Sequence, residues 1–203
     1  MKLAIALIGL SYTEVNQQVR DWSQTKDNIK SNLINAFQGS DVYVTTYNQP
    51  HLNELIEFYQ PKKHLIVPYE GSHQRTTYIE GLKLLLDEDV DFIISTRFDI
   101  HFNELVPSYN FQFDKVNFLF KDIEPGWTNQ GHVGDCMHGI PKKYLSTFID
   151  VVQNEHNHGG NFMHSIYRPI VNSIGQENTN FLIDGHHMSH ENSVYKLFRE
   201  WKR

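Results

Sequence analysis

The sequence predicts an α/β fold, a mainly parallel nucleotide-binding type of sheet flanked by helices, on three observations. Leu3–Gly9, Asp41–Tyr47 and Phe92–Thr96 are strand-length runs of apolar, β-branched and aromatic residues. They lack the alternation of a sheet with one wet face, so both of their faces are expected to be buried. Between them apolar residues recur every three or four positions, the spacing of one helix face. Strand and helix thus alternate as far as residue 102, and such an order needs crossover connections, which make neighbouring strands parallel and the crossovers right-handed.

Each element has its own warrant. Leu3–Gly9 is continuously apolar, and Gly9-Leu10-Ser11-Tyr12 leaves its carboxyl end without the Gly-x-Gly-x-x-Gly of a dinucleotide fingerprint. Trp22, Ile29, Leu33, Ile34 and Phe37 keep helical spacing, and Gly39 stands where helices end in a left-handed residue. Asp41–Tyr47 suits a second strand. Pro50 opens a short helix bearing Leu52, Leu55, Ile56 and Tyr59, and His64–Pro68 is a brief third strand. Ser72 is a candidate cap for a helix burying Ile79, Leu82, Leu85 and Leu86, closed by Asp87-Glu88-Asp89. In the second half Val116–Phe120 reads as a strand, Lys121–Gly134 as a loop rich in Gly and Asn, and Asp135–Ile140 as a short strand. Pro141 at a first helical position opens a helix with Tyr144, Leu145, Phe148, Ile149 and Val152 on its apolar side. Met163, Ile166, Ile170 and Ile174 suggest a further helix that Pro169 should break or kink. Asn180–Ile183 is the last expected strand, and the polar loop Asp184–Asn192 leads to a basic tail.

The stretch Asp89–Phe102 is the centre of this order. Its apolar run Phe92-Ile93-Ile94 ends in Ser95 and Thr96 and delivers Arg97, Asp99 and His101, which share one side of an extended backbone. Ligands in open α/β sheets bind beyond the carboxyl ends of the strands, so chemistry is expected near Asp99. A carboxylate there can hold a divalent cation that neutralises a diphosphate. The plainer alternative is a salt-bridged Arg–Asp pair at a strand end.

Composition bounds the function. The chain has 203 residues, enough for one sizeable core, with 39% hydrophobic and 13% aromatic residues, which exclude disorder. A formal net charge of −6 speaks against a nucleic-acid partner, which needs a basic stripe. Cys136 is the single cysteine, so no internal disulfide forms, and a reducing, cytoplasmic location is expected. Met1–Leu10 is short for a signal peptide and is read as the first strand, and no apolar run approaches transmembrane length. Most of the 12 histidines follow residue 100, a weak pointer to metal or phosphate chemistry.

Leu3–Gly9, Asp41–Tyr47, the run Asp91-Phe92-Ile93-Ile94-Ser95-Thr96-Arg97-Phe98-Asp99 and Gly134-Asp135-Cys136-Met137-His138-Gly139-Ile140-Pro141 together resemble nucleotide-diphospho-sugar transferases of the GT-A fold. Within these the likeness is to small viral and bacterial glycosyltransferases with an Arg-x-Asp variant of the Asp-x-Asp motif. The resemblance implies one GT-A-like domain over residues 1–203, with 1–102 binding the nucleotide-sugar and 103–203 the acceptor. It implies transfer of a sugar from a UDP- or GDP-sugar to a hydroxyl of a glycan, glycoprotein or glycolipid, with Mn²⁺ or Mg²⁺. Asp99 takes the position of the last aspartate of the metal motif, and Arg97 replaces the first. The literal matches Asp87–Asp89 and Asp89–Asp91 precede the strand and read as a solvated turn. His187 or His190 would complete a metal shell, or remain polar-loop histidines. Leu10, Ser11, Tyr12, Thr45, Thr46 and Tyr47 would line the donor pocket, and Arg75 reaches a phosphate from a helix start or stays a surface arginine. Asp135 is the candidate general base, or a hydrogen-bonded loop aspartate. Trp127 is a sugar-stacking platform of the acceptor site, or core.

The tail Tyr195–Arg203 mixes aromatic and basic residues, a pattern that suits a docked terminal helix with its charges in water or peripheral contact with an anionic membrane. Two other classes remain open: a metal-dependent phosphoesterase or other nucleotide-handling α/β enzyme, and a non-catalytic nucleotide- or sugar-binding module. Asp99→Asn is expected to leave the fold intact, since Asp99 lies beyond the buried strand.

Overall fold

The computed structural model describes residues 1–15, 18–70, 73–123, 125–154, 163–188 and 193–201. Four strands of the first half, β1 (Leu3–Ile8), β4 (Asp41–Tyr47), β5 (Lys63–Val67) and β6 (Phe92–Thr96), join three of the second, β8 (Val116–Phe118), β10 (Met137–Pro141) and β11 (Thr179–Phe181). Their order across the sheet is β11-β8-β10-β6-β1-β4-β5. Every pairing among them is parallel except those of β10, which runs against both β6 and β8.

Period-2 burial on both faces explains the unbroken apolar runs. Leu3, Ile5 and Leu7 of β1 and Phe92 and Ile94 of β6 pack on one face with Trp22, Ile29, Leu33, Leu55 and Tyr59. Ala4, Ala6, Ile8 and Ile93 pack on the other with Ile79, Leu82, Leu145, Phe148 and Ile170. Helices α1 (Lys26–Ile29, continued as a π-helical stretch Lys30–Ile34) and α2 (Leu52–Tyr59) therefore cover the first face. Helices α3 (Gln74–Lys83), α5 (Leu145–Asn154) and α6 (Tyr167–Ile174) cover the second. A short α4 (Gly126–Gln130) lies within the expected loop. Each fully buried Leu or Ile contributes about 1.5–3 kcal/mol by removal from water, so this double layer supplies most of the stability. Gly81 lets α3 approach β1 closely, because a Cβ there would come within 2.7 Å of Ile8 Cδ1. Gly39 has φ +79°, but the first helical stretch ends earlier, with Asn35 as its C-cap, so Gly39 serves the turn that leads into β4 and not the helix end that its spacing suggested.

Several expectations are corrected. Pro141 closes β10, and its helix begins only after a 3₁₀ turn, Lys142–Tyr144. Pro169 does not break α6: it falls in the first turn, where an amide N–H has no intrahelical partner to lose. The loop after β1 is instead a hairpin, β2 (Tyr12–Val15) and β3 (Gln18–Asp21). The expected cap Ser72 lies outside the described residues.

The largest correction concerns the tail, which is extended and not helical. Its segment β13 (Tyr195–Leu197) pairs antiparallel with β7 (Ile100–Phe102), and β14 (Glu200–Trp201) pairs antiparallel with β3. The remaining two-residue strands, β9 (Lys121–Asp122) and β12 (His186–His187), pair parallel with each other. Alternation decides the tail's conformation, since Tyr195 is fully buried, Lys196 exposed and Leu197 half-buried. The tail's apolar side thus faces protein, with Tyr195 stacked on Phe120 at 6.1 Å between ring centroids. Among the described residues no helix is long and apolar enough to cross a membrane.

Tyr195→Ala should cost about 3 kcal/mol in urea unfolding, as aromatic truncations in cores do, and Lys196→Ala should stay within about 0.5 kcal/mol. Equal, negligible effects at both positions would contradict the docked tail.

Candidate active site

The carboxyl ends of β1, β4 and β6 border a cavity of about 460 Å³. Each wall follows from the topology. Gly9 and Leu10 leave β1, Tyr47 ends β4, and Thr96 and Arg97 end β6. Gln74 and Tyr78 project from α3, while Asp135 and Cys136 enter just before β10. Arg20 comes from the hairpin strand β3, His164 from a 3₁₀ turn at Met163–Ile166, and Arg199 from the link between β13 and β14. Tyr47 and Tyr69 meet edge to face at 5.4 Å and form an aromatic wall.

Beneath this cavity Asp99 is 2% exposed and gathers three guanidinium groups. Arg97 donates from Nε to Oδ1 and from Nη2 to Oδ2, each at 2.8 Å, a bidentate fork. Arg199 Nε donates to Oδ2 at 3.3 Å, and Arg20 Nη1 stands 4.0 Å from the same oxygen. Burial alone would raise the Asp99 pKa, but Arg97, Arg199 and Arg20 hold it below the usual carboxylate range. Burial likewise opposes charge on Arg97, and the carboxylates of Asp99 and Asp135 overcome it and keep the group protonated. Arg20 is pushed down to about 10, first by burial and then by the like charge of Arg199.

Asp135 is the second buried carboxylate, 8% exposed and facing the cavity. Its Oδ2 accepts from Gln74 Nε2 at 2.7 Å, with Arg97 Nη1 and His164 Nε2 each at 3.6 Å. Burial would raise its pKa, yet His164, Arg97 and the Gln74 amide hold it well below the usual carboxylate range. His164 Nδ1 donates to the Val133 carbonyl at 2.8 Å, since a carbonyl can only accept, and its Nε2 is turned to Asp135. Burial pushes the Cys136 thiol up, which leaves it un-ionised and a poor nucleophile. Tyr78 is fixed by Ser95 at 2.6 Å and His138 at 2.9 Å, and burial pushes His138 down to about 4, so it is neutral at pH 7.

Among the sequence-expected site residues the cavity brings together Leu10, Tyr47, Arg97 and Asp135, with Asp99 directly behind Arg97. Others do not line it. Ser11 and Thr46 are buried with their hydroxyls bonded to each other at 2.7 Å, and Thr45 is buried in β4. Tyr12 packs against His51 at 5.3 Å, and Arg75 sits in the first turn of α3 away from the cavity lining. Trp127 borders a separate depression with Asn110, Lys121 and Asn180, where Lys121 Nζ lies 5.1 Å over its ring. His187 bonds its Nε2 to the Asp184 carbonyl at 2.8 Å and packs on Phe120. His190 is outside the described residues. Sequence reading missed Arg20, Gln74, His164 and Arg199, whose places depend on a hairpin, a helix face and a tail strand that only tertiary pairing defines.

The donor set around Asp99 does not fit a divalent cation. Both carboxylate oxygens already accept from Arg97, and Arg199 and Arg20 add positive charge beside Oδ2. Among the described residues no three His, Cys, Asp or Glu side chains converge on one point. The literal Asp-x-Asp matches are on the surface, with Asp89 and Asp91 engaged by Lys2.

The burial of Asp99 also corrects the expectation that Asp99→Asn is structurally silent. Removing one partner of a buried ion pair typically costs about 3 kcal/mol or more, and that loss is predicted at pH 7. A carboxylate whose pKa is depressed by folding stabilises above about pH 4 and loses that contribution as pH falls. The gap between wild type and Asp99→Asn should therefore narrow from pH 7 to pH 3 in urea titrations, and a constant gap would refute the charge assignment.

No protein-family model and no curated protein matches the sequence. Solved structures do match. A 4-diphosphocytidyl-2C-methyl-D-erythritol synthase from Anaerococcus prevotii aligns at TM-score 0.52 and 8% identity over 95% of this chain and 90% of that one. A nucleoside-diphosphate-sugar pyrophosphorylase from Vibrio cholerae aligns at TM-score 0.52 and 14% identity over 89% and 91%. The glycosyltransferase GlyE of Streptococcus pneumoniae aligns at 0.48 and 12% over 90% of this chain and 45% of that one, too loosely to argue from. At these identities the likeness is one of fold: a mixed α/β architecture whose central sheet is mostly parallel and helix-flanked.

Proposed function

We propose that this chain is a glycosyltransferase that binds a nucleoside-diphosphate sugar in the cavity at the carboxyl edge of the sheet and passes the sugar to an acceptor hydroxyl. One observation carries the reading: the guanidinium groups of Arg20, Arg97 and Arg199 and the ionised carboxylate of Asp135 line the same cavity. An anionic leaving group and a proton-accepting oxygen are the two things such a transfer needs. The acceptor oxygen bonds to C1 of the sugar while the bond from C1 to the phosphate oxygen breaks and its electron pair leaves on the diphosphate. The acceptor proton passes to Asp135 Oδ2, which Gln74 holds in place. Tyr47 and Tyr69 supply an aromatic wall against which a nucleobase can rest. The acceptor, a glycan, glycoprotein or glycolipid, would approach from the side of Asp135 and His164.

Nucleotidyl transfer is a second reading. The two solved folds at TM-score 0.52 are named as a diphosphocytidyl-methylerythritol synthase and a sugar pyrophosphorylase, which favours it. The two reactions differ in what they release. Glycosyl transfer from UDP- or GDP-sugars yields UDP or GDP, whereas nucleotidyl transfer from a nucleoside triphosphate and a sugar phosphate yields pyrophosphate.

Nucleoside diphosphate release from a panel of nucleotide sugars and acceptors is the expected outcome, and pyrophosphate release alone would install the second reading. Asp135→Asn should lower kcat by about a hundredfold or more, with the donor KM changed by no more than about threefold, since the base acts in the transition state. A variant as fast as wild type would remove Asp135 from the chemistry.

A further inference from the structure

We propose that Arg20, Arg97 and Arg199 form a metal-free clamp for the donor diphosphate, doing with three guanidinium groups what the resemblance assigned to Mn²⁺ or Mg²⁺ on Asp99. The inference rests on the nucleotide-sugar reading and deepens it.

Geometry is the first support. A divalent cation on a carboxylate takes oxygen donors at about 2.0–2.6 Å. Any such position on Asp99 competes with Arg97 nitrogens at 2.8 Å from both oxygens and with Arg199 Nε at 3.3 Å from Oδ2. The carboxylate therefore organises cations that belong to the chain. Charge is the second support. Among the described residues three guanidiniums gather around two carboxylates, Asp99 and Asp135, which brings like charges close together. The like charge is crowded enough that Arg199 and Arg97 both disfavour the charged form of Arg20. A diphosphate relieves that crowding, and planar guanidiniums match its oxygens in paired hydrogen bonds.

Preorganisation is the third support. All three arginines line the cavity, yet they come from the hairpin, the end of the central strand and the tail. The tail is tied to the same residue twice, because Phe198 N–H donates to the Asp99 carbonyl at 2.8 Å while Arg199 bonds the Asp99 side chain. Antiparallel pairing of β13 with β7 and of β14 with β3 fixes the link that carries Arg199. A clamp held this way loses little freedom when an anion binds. The role of the basic tail is then to complete the donor site.

The test is calorimetric titration of UDP, GDP, CDP and dTDP in turn, in EDTA and again with Mn²⁺, into wild type, Arg199→Ala and Arg199→Lys. Wild type should bind at least one of these in EDTA with an affinity within about threefold of that in Mn²⁺. In EDTA, Arg199→Ala should bind about 10- to 100-fold more weakly, the scale of a lost charged hydrogen-bond pair. Arg199→Lys, which keeps the charge and loses the fork, should fall between them. Thermal unfolding of each variant separates loss of binding from loss of fold. Arg20→Gln provides the same readout from another element should Arg199→Ala not fold. Binding that appears only with Mn²⁺ would overturn the clamp and leave the nucleotide reading standing. Binding of none of the four under either condition would overturn that reading itself, and undiminished binding by folded Arg199→Ala would remove the tail from the site.

Discussion

The carboxylate of Asp99 is the point on which the functional end of this molecule depends. It is buried at the end of the central strand, where a lone charge would be costly, and it persists because Arg97 forks onto it and Arg199 and Arg20 surround it. The dependence is mutual. Those arginines come from segments about 80 and 100 residues apart in sequence, and without a shared counter-ion their charges would drive the segments apart. One ion cluster thus joins the hairpin after β1, the loop after β6 and the tail, and these segments in turn build one side of the cavity.

Two buried carboxylates with different surroundings give that cavity its division of labour. Asp99 has both oxygens occupied by arginine and lies behind the surface, so its part is positional. Asp135 accepts one short hydrogen bond from Gln74 and has Arg97 and His164 at a longer 3.6 Å, which leaves it able to accept a proton from a hydroxyl at the cavity wall. Arg97 lies between them and links the two, bonded to one and within reach of the other.

The core was legible in the sequence because burial on both faces leaves a plain mark. Runs such as Leu3–Ile8 and Phe92–Thr96 read as strands of one mainly parallel sheet, and they lie in that sheet and pair parallel with each other, a neighbourhood that the sequence pattern did not specify. The expectation of a ligand cavity at the carboxyl edge came from the same reasoning and brought Arg97 and Asp99 to attention, whereas Asp135 was reached through the resemblance. What the sequence concealed were elements whose structure is decided by partners far away in the chain. Tyr195-Lys196-Leu197 carries a period-2 pattern only three residues long, too brief to outweigh the helical reading of a mixed aromatic and basic tail. Arg199 and Arg20 look like solvated charges until the tail and the hairpin are seen to pair. Thr45 and Thr46 do not line the cavity because they lie in a strand buried on both faces, where hydroxyls bond inward, as Thr46 does to Ser11.

The account stands or falls on where a donor diphosphate lies. The most direct measurement is a crystal structure of the protein with a nucleoside diphosphate bound and metal excluded by chelator. Phosphate oxygens are expected at about 2.7–3.2 Å from nitrogens of Arg97 and Arg199, with the Asp99 fork intact and the base against Tyr47 and Tyr69. A nucleotide seated elsewhere, such as the depression beside Trp127 and Lys121, or one whose binding breaks the Arg97–Asp99 pair, would contradict it.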